Sequence, residues 1–575
     1  MRILAILFFL FPGLALGQAV RYRVEVTAPA EIAAPLREGL SLVRWQQDPQ
    51  MNAELLRRLS DQAVAEARET AATEGYFSAR VSVSVDESVE PRVVHVVVEA
   101  GERTRVDDID IRITGPAAED PEARRLIRRT RDAWNLRRGE PFRQAEWDAA
   151  KRALVRELSR WRYAAARVAD SEARIDPVER LARLRVEVAS GPPFRFGEVR
   201  PSGTRRFDER LVTNLAPFRA GQVYDRDQLL LYQRLLLESG YFVSAQTEAD
   251  PDPAAADRMP VRVAVIEGST QHIEAGIGYS TDAGARAELR YSDHDVLDSA
   301  WRFHSGLRLD EKIQTLDLRF DSPPRPRGRW TSFFTRARQA DIQNEATREL
   351  ALGTSYNWGA ERTPSAFIAS AHLEEQRVVG QPTDNRHAVY FGHRSTFRRT
   401  DDLISPRQGF LGMVEVGGSP KGLASRQFLR GVASASLFIP IGRSGDLLLR
   451  GQAGRVVADA REGIPSSFLF RTGGDQTVRG YAFESLGVRQ GEAIVGGRYM
   501  AVVSAEYTHW IGDGWGVAAF VDAGNAWDDS RLVRLAKGIG VGPRVRTPIG
   551  PIRADIAYGQ QDRSLRLHFS VGYTF

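Results

Sequence analysis

Arg479 is the residue best placed to do chemistry. It lies in the glycine-bounded stretch Gly473-Gly474-Asp475-Gln476-Thr477-Val478-Arg479-Gly480-Tyr481, and two downstream carboxylates sit where they could face it. From Trp515 to Gly524, the residues Trp515, Val517, Ala519 and Val521 form an apolar row, which turns Phe520 and Asp522 to the opposite face. Along Tyr499 to Trp510 the apolar row is Tyr499, Ala501, Val503, Ala505 and Tyr507, which turns Glu506 the same way. A guanidinium meeting these carboxylates away from water would make a bidentate, charge-assisted bond, whereas a wet pair contributes at most ~1 kcal/mol. Such chemistry restrains a loop and makes or breaks no covalent bond. The bland alternative is a loop arginine facing membrane phosphate.

Other reactive patterns are missing from the sequence. It has no Gly-x-Ser-x-Gly elbow, no His-Glu-x-x-His pair and no phosphate loop followed by Lys. Gly538-Ile539-Gly540-Val541-Gly542 looks superficially like a nucleotide loop, but no strand-to-helix context surrounds it and it reads as strand glycine. His272, His294, His304 and the other histidines lack ligand spacing, so neither a metal nor a cofactor is expected and the protein is read as no enzyme. The lack of cysteine excludes a disulfide framework and a Cys-based zinc site. Lys plus Arg number 79 against 74 acidic residues, and the resulting +5 is spread along the chain, which speaks against a dedicated nucleic-acid protein.

The elements that must position Arg479 are legible as patterns. Arg2, the apolar run Ile3 to Leu16 and the small residues at Ala15 and Gly17 read as a signal peptide over 1–17, with a mature start at Gln18. No later run reaches the ~18 apolar residues of a membrane helix, so the exported chain is either soluble or a membrane β-barrel. A repeat then occurs three times, as a leading strand, two helical stretches, an aromatic landmark and two alternating strands. The leading strands are Tyr22 to Val26, Val106 to Ile113 and Phe194 to Val199; the clearest helices are Asn52 to Thr73, Arg143 to Arg160 and Asp225 to Ser239. In the last helix Leu229, Leu230, Tyr232, Leu235, Leu236 and Leu237 are expected on one broad apolar face. The landmarks are Gly75-Tyr76-Phe77, Tyr163 with its alanines, and Gly240-Tyr241-Phe242, and Gly101, Gly191 and Gly268 close the units. The resulting domains are 18–101, 102–191 and 192–268.

From 269 to 575 helical periodicity gives way to short alternating segments between turns. At roughly 19 residues per transmembrane strand and turn, this stretch holds about 16 antiparallel strands. In the last one Leu565, Leu567, Phe569, Val571, Tyr573 and Phe575 alternate with Arg566, His568, Ser570, Gly572 and Thr574. In the first, Ile273, Ala275, Ile277 and Tyr279 face outward and His272, Glu274, Gly276 and Gly278 inward. The fold class is thus a membrane β-barrel preceded by α+β domains.

Taken together these features resemble a known family. The repeats are similar to POTRA domains, and Val478-Arg479-Gly480-Tyr481 matches at all four positions the Val-Arg-Gly-Phe/Tyr loop of the outer-membrane assembly superfamily that includes BamA, TamA and the two-partner secretion transporters. That resemblance implies a loop folded back into the lumen, with Arg479 reaching acidic and aromatic groups of the wall, and Asp522, Glu506 and Phe520 fit those positions. The terminal Phe569, Val571, Tyr573 and Phe575 resemble a barrel sorting signal. Three repeats are similar to the TamA branch, which implies a TamB-like, inner-membrane-anchored partner at the first repeat, unfolded barrel or autotransporter clients, and contact with outer-membrane lipids. The expected location is the outer membrane, with the repeats in the periplasm.

The mechanism this implies is structural. A client entering hydrocarbon must keep its backbone groups paired, because each unpaired group there costs several kcal/mol. A weak seam between the first and last strands could template client strands, and Gly276, Gly278, Ser570 and Gly572 leave that seam little lumenal packing. A secretion pore for an unfolded exoprotein and a lipid-transfer component remain alternatives. The basic turn Pro323 to Arg329 and the arginines at 124, 125, 128, 129 and 131 read first as solvated surface and second as contacts for membrane phosphate or an acidic partner.

Overall fold

The computed structural model describes residues 20–359, 362–402, 406–512, 514–529, 534–547 and 552–570. The signal peptide expected over 1–17 and the terminal residues Val571, Gly572, Tyr573 and Phe575 lie outside the described residues. The chain forms two compact units: Met1–Glu198 with Arg219–Asp227 and Ala249–Val261, and Val199–Phe218 with Gln228–Glu248 and Arg262–Phe575.

The first repeat runs from strand Tyr22–Thr27 through helices Ala30–Gly39 and Ala53–Thr73 to strands Arg80–Asp86 and Arg92–Glu99. Its long helix starts at Asn52, whose side chain accepts the Leu55 N–H at 2.9 Å, a cap that stabilises by ~1 kcal/mol. Leu56, Leu59, Ala63, Ala67 and Ala71 follow at helical spacing and are buried in one cluster with Val94, Val96 and Val98 of the last strand. That strand is central in its sheet, parallel to the first and antiparallel to the second. The second repeat repeats the plan with strand Arg105–Thr114, helices Arg124–Asp132 and Gln144–Leu158, and strands Arg167–Asp176 and Leu181–Ala189.

The third repeat has strands Phe196–Ser202, Phe242–Ala249 and Met259–Glu267, the last of them central, with helices Glu209–Asn214 and Arg226–Glu238. Its second helix corrects one expectation. Leu229, Tyr232 and Leu236 are buried, but Leu230 and Leu237 stand 50% and 40% exposed. At 3.6 residues per turn the buried row falls at i, i+3 and i+7, and a leucine one step further on reaches only its flank.

The aromatic landmark has a structural role at every junction. The residue before each tyrosine is left-handed: Gly75 at φ 92°, Arg162 at φ 66° and Gly240 at φ 80°. Each then meets the next domain. The Gly75 carbonyl accepts the Thr104 N–H at 2.9 Å; Arg162 donates its N–H to the Tyr224 carbonyl at 2.9 Å and accepts from Phe194 N–H at 2.6 Å. The Gly240 carbonyl lies 2.7 Å from His294 Nδ1, and the Tyr241 hydroxyl donates to the Ala300 carbonyl at 2.7 Å. Burial pushes the Tyr241 hydroxyl up to about 12, so it stays a neutral donor. The basic turn joins the same fastening: Asn214 Nδ2 donates to the Pro324 carbonyl and Gly328 N–H to that of Asn214, both at 2.9 Å.

Among the described residues sixteen antiparallel strands, from Gln271–Ser280 to Ser564–Ser570, form a closed barrel. The outward residues of the alternation are apolar and exposed, among them Ile277, Phe367, Val503, Val521 and Ile539, while the lumenal residues are mostly polar or small, with aromatic residues such as Phe428 and Phe520 where the loop packs. No helix among the described residues is long and apolar enough to cross a membrane.

Candidate functional site

Residues 458–498 join the eleventh barrel strand, Gly445–Val457, to the twelfth, Tyr499–Ile511, and turn back into the lumen. The incoming limb grips one side of the wall. Ser466 N–H donates to both Glu374 carboxylate oxygens at 3.0 and 2.9 Å, Ser467 Oγ donates to Glu349 at 2.7 Å, and Arg471 pairs with Glu345 at 2.7 Å. Phe468 and Phe470 pack there in a buried cluster with Tyr390 and Phe428.

The tip, 478–481, lies against the strands that follow. Arg479 is 2% exposed. Its Nε and Nη2 donate to the two oxygens of Asp522 at 2.7 and 2.9 Å, its backbone N–H adds a third bond to Asp522 at 3.1 Å, and Nη1 reaches Glu506 at 2.6 Å. The guanidinium carbon sits 3.3 Å from the centroid of the Phe520 ring. All three wall residues expected from alternation therefore meet Arg479. Val478 and Tyr481 are fully buried, and the Tyr481 hydroxyl donates to the Lys537 carbonyl at 3.0 Å.

Two members of the site escaped the sequence reading. Asp555, on the fifteenth strand Ile552–Gly559, accepts from Arg479 Nη1 at 3.3 Å and from Arg544 Nη1 at 2.6 Å, and Arg544 Nε also donates to Glu506 at 3.0 Å. Two guanidiniums thus hold three carboxylates, each of them buried. Their signal was the alternation of Ile556 and Tyr558 outward, which turns Asp555 inward, and the same rule places Arg544 opposite Ile539 and Val541.

Glycines clear the wall for the tip. A Cβ at Gly538 would collide with the Arg479 carbonyl, one at Gly559 would stand 2.5 Å from the Gly480 carbonyl, and one at Gly480, φ 92°, would stand 2.7 Å from Gly559 N. Gly540 makes room for the Phe520 ring and Gly542 for the Asp555 carboxylate. The Gly538–Gly542 run is the bed of this site. Among the described residues no group of His, Cys, Asp and Glu could hold a metal.

The expected seam residues are partly in view. Gly276 and Gly278 face open space, and Ser570 pairs with Ser280 in register. Phe569 accepts the Thr281 N–H through its carbonyl at 3.4 Å. Among the described residues Ser280–Ser570 is the one register pair of this seam, against ten between the first and second strands.

A closed barrel carrying an arginine loop in its lumen, behind β-α-α-β-β repeats, defines an outer-membrane POTRA–barrel protein. The Omp85 superfamily domain matches residues 266–575, more than half the chain, and the surface antigen variable number repeat, the POTRA family, matches 194–268. The chain belongs to the Omp85 superfamily, and it resides in the outer membrane with its POTRA domains in the periplasm. The outer membrane protein assembly factor BamA of Nitratidesulfovibrio vulgaris strain Hildenborough is 24% identical over 406 residues, 65% of this chain and 50% of that protein. The chain spans about half the length of that curated relative. The crystal structure of BamA from Haemophilus ducreyi lacking POTRA domains 1–3 shares the fold, with a TM-score of 0.60 and 15% identity over 82% of this chain and 100% of that one.

Proposed function

We propose that this protein is a non-enzymatic assembly factor that helps client β-barrels enter the outer membrane through the seam between its first and last strands. The observation that carries the reading is the buried Arg479 network, which holds a loop across the lumen beside that seam. A lumen crossed by a pinned loop suits a wall that opens sideways better than a pore that conducts a chain. The first strand supports this: Ile273 and Ile277 are 73% and 95% exposed, and Gly276 and Gly278 add no lumenal packing. An edge whose described residues carry so little side-chain packing can lend its backbone groups to a client strand, which then never faces hydrocarbon unpaired.

In its finer form the reading is TamA-like, since three repeats precede the barrel. An inner-membrane-anchored TamB-like protein then docks on the first repeat, and autotransporters are among the clients. The chain has no cysteine, so Ser280→Cys with Ser570→Cys gives a single disulfide across the seam. In proteoliposomes the oxidised pair should stop client insertion and reduction should restore it. Full insertion by the oxidised protein would rule the seam out.

A further inference from the structure

The loop reaches past Arg479 to both sides of the seam. Asp282 lies in the turn after the first strand, and His568 lies in the last strand. The two are buried and face each other, with His568 Nδ1 3.6 Å from Asp282 Oδ1. The loop takes hold of each. Gly480 N–H donates to His568 Nε2 at 2.9 Å, and Asp475 N–H donates to Asp282 Oδ2 at 2.6 Å. Because Nε2 accepts, it carries the lone pair, so the ring proton is on Nδ1, on the side of Asp282 but too far from it for a hydrogen bond. Gly474, at φ 102°, is the glycine this contact requires, since a Cβ there would strike the Asp282 carboxylate. Lys312 Nζ fixes the Asp282 backbone carbonyl at 2.5 Å from the far side. Immediately below, Thr281 and Phe569 exchange two hydrogen bonds, Thr281 N–H to the Phe569 carbonyl and Phe569 N–H to Thr281 Oγ1 at 3.2 Å.

We propose that Asp282 and His568 are positioning residues which, with Gly480 and Asp475, form a latch that the lumenal loop closes over the seam. Parting the first and last strands then requires the loop tip to let go, and a loop that leaves its bed unlatches the wall. The inference rests on the reading of the seam as the working edge. It concerns what holds that edge shut, so it is tested without a client.

The test is hydrogen exchange of the purified full-length protein in detergent or nanodiscs, read over 278–283 and 564–570, with heat-modifiable migration certifying a folded barrel. Losing a buried hydrogen-bonded latch should raise the open fraction about tenfold, the equivalent of ~1.4 kcal/mol. His568→Ala and Asp282→Ala, each of which removes an acceptor of a loop N–H, are expected to exchange about tenfold faster there. His568→Gln keeps an acceptor for Gly480 N–H and should recover most of the protection. Arg479→Ala should also speed exchange at the seam, and the double variant with His568→Ala should show less than the product of the two effects. Unchanged seam exchange in the two folded Ala variants would overturn the latch, as would a His568→Gln variant as fast as His568→Ala or strictly multiplicative effects. Failure of the disulfide-lock experiment with these results intact would remove the seam from client insertion and leave the latch standing.

Discussion

Replacing Arg479 by alanine removes every side-chain donor that Asp522 has in the site: two of its three hydrogen bonds come from the guanidinium, leaving the Arg479 backbone N–H. Asp522 is 0% exposed, so it cannot recruit bulk water in exchange. Removing one partner of such a buried pair typically costs ~3–5 kcal/mol, whereas an exposed pair costs ~1 or less. At ~1.4 kcal/mol per decade, amide exchange over 476–482 should rise on the order of a hundred- to several thousandfold. The limb at 464–471 should keep its protection, because Glu374, Glu349 and Glu345 hold it independently. Arg479→Lys should fall between, since one ammonium cannot span both Asp522 oxygens and reach Glu506. The Arg479→Ala/Asp522→Ala double variant should lose less than the sum of the singles, because the stranded charge is then gone. Exchange at the tip that rises less than about tenfold in a folded Arg479→Ala barrel would refute a loop held by this network.

Two further outcomes follow from close approaches. Gly538→Ala should expel the tip as Arg479→Ala does, because its Cβ would occupy the place of the Arg479 carbonyl; Gly451→Ala, which meets open space, should leave tip exchange and client insertion unchanged, and equal behaviour of the two would discredit the glycine bed. Gly240→Val should loosen the third repeat from the barrel, since a Cβ there would stand 2.6 Å from the His294 ring on a left-handed backbone; limited proteolysis near 268–270 at an unaltered rate would show that this joint carries no load.

What the sequence shows of the site is whatever a period of two can carry. Val503, Tyr507, Val517 and Val521 are outward and apolar, so Glu506, Phe520 and Asp522 had only one face left, and the structure puts them there. Asp555 and Arg544 obey the same rule, but Asp555 sits on a strand of only eight residues and Arg544 on one with three glycines, which weakens the row that gives the rule its purchase. Glycine itself is opaque in this way. Gly538, Gly540 and Gly542 look like idle strand positions until the loop that needs their space is in place. The repeat landmark shows the complementary failure: Arg162 adopts the backbone of Gly75 and Gly240 at a cost of ~1–2 kcal/mol, and no pattern of residue types reveals that. His568–Gly480 and Asp282–Asp475 join positions far apart in the chain and depend on barrel closure. Alternation gives each partner a face and says nothing of which loop atom it meets.

On the proposed function, the network also sets the energy a client must supply. If freeing the tip costs ~3–5 kcal/mol, the resting seam is open in fewer than about one molecule in a hundred. A client strand pairing along the freed first strand gains ~0.5–1.5 kcal/mol net per hydrogen bond. The first strand makes ten register pairs with its permanent neighbour, so a comparable length of edge is on offer to a client. Between about two and ten such bonds therefore match the release of the loop, and partial pairing is self-limiting: a short or misregistered segment falls below the threshold and the loop returns. On this arithmetic Arg479 sets how much strand a client must present before the wall gives way. Weakening it should admit shorter or poorer clients and lower selectivity, an effect distinct from a simple loss of rate.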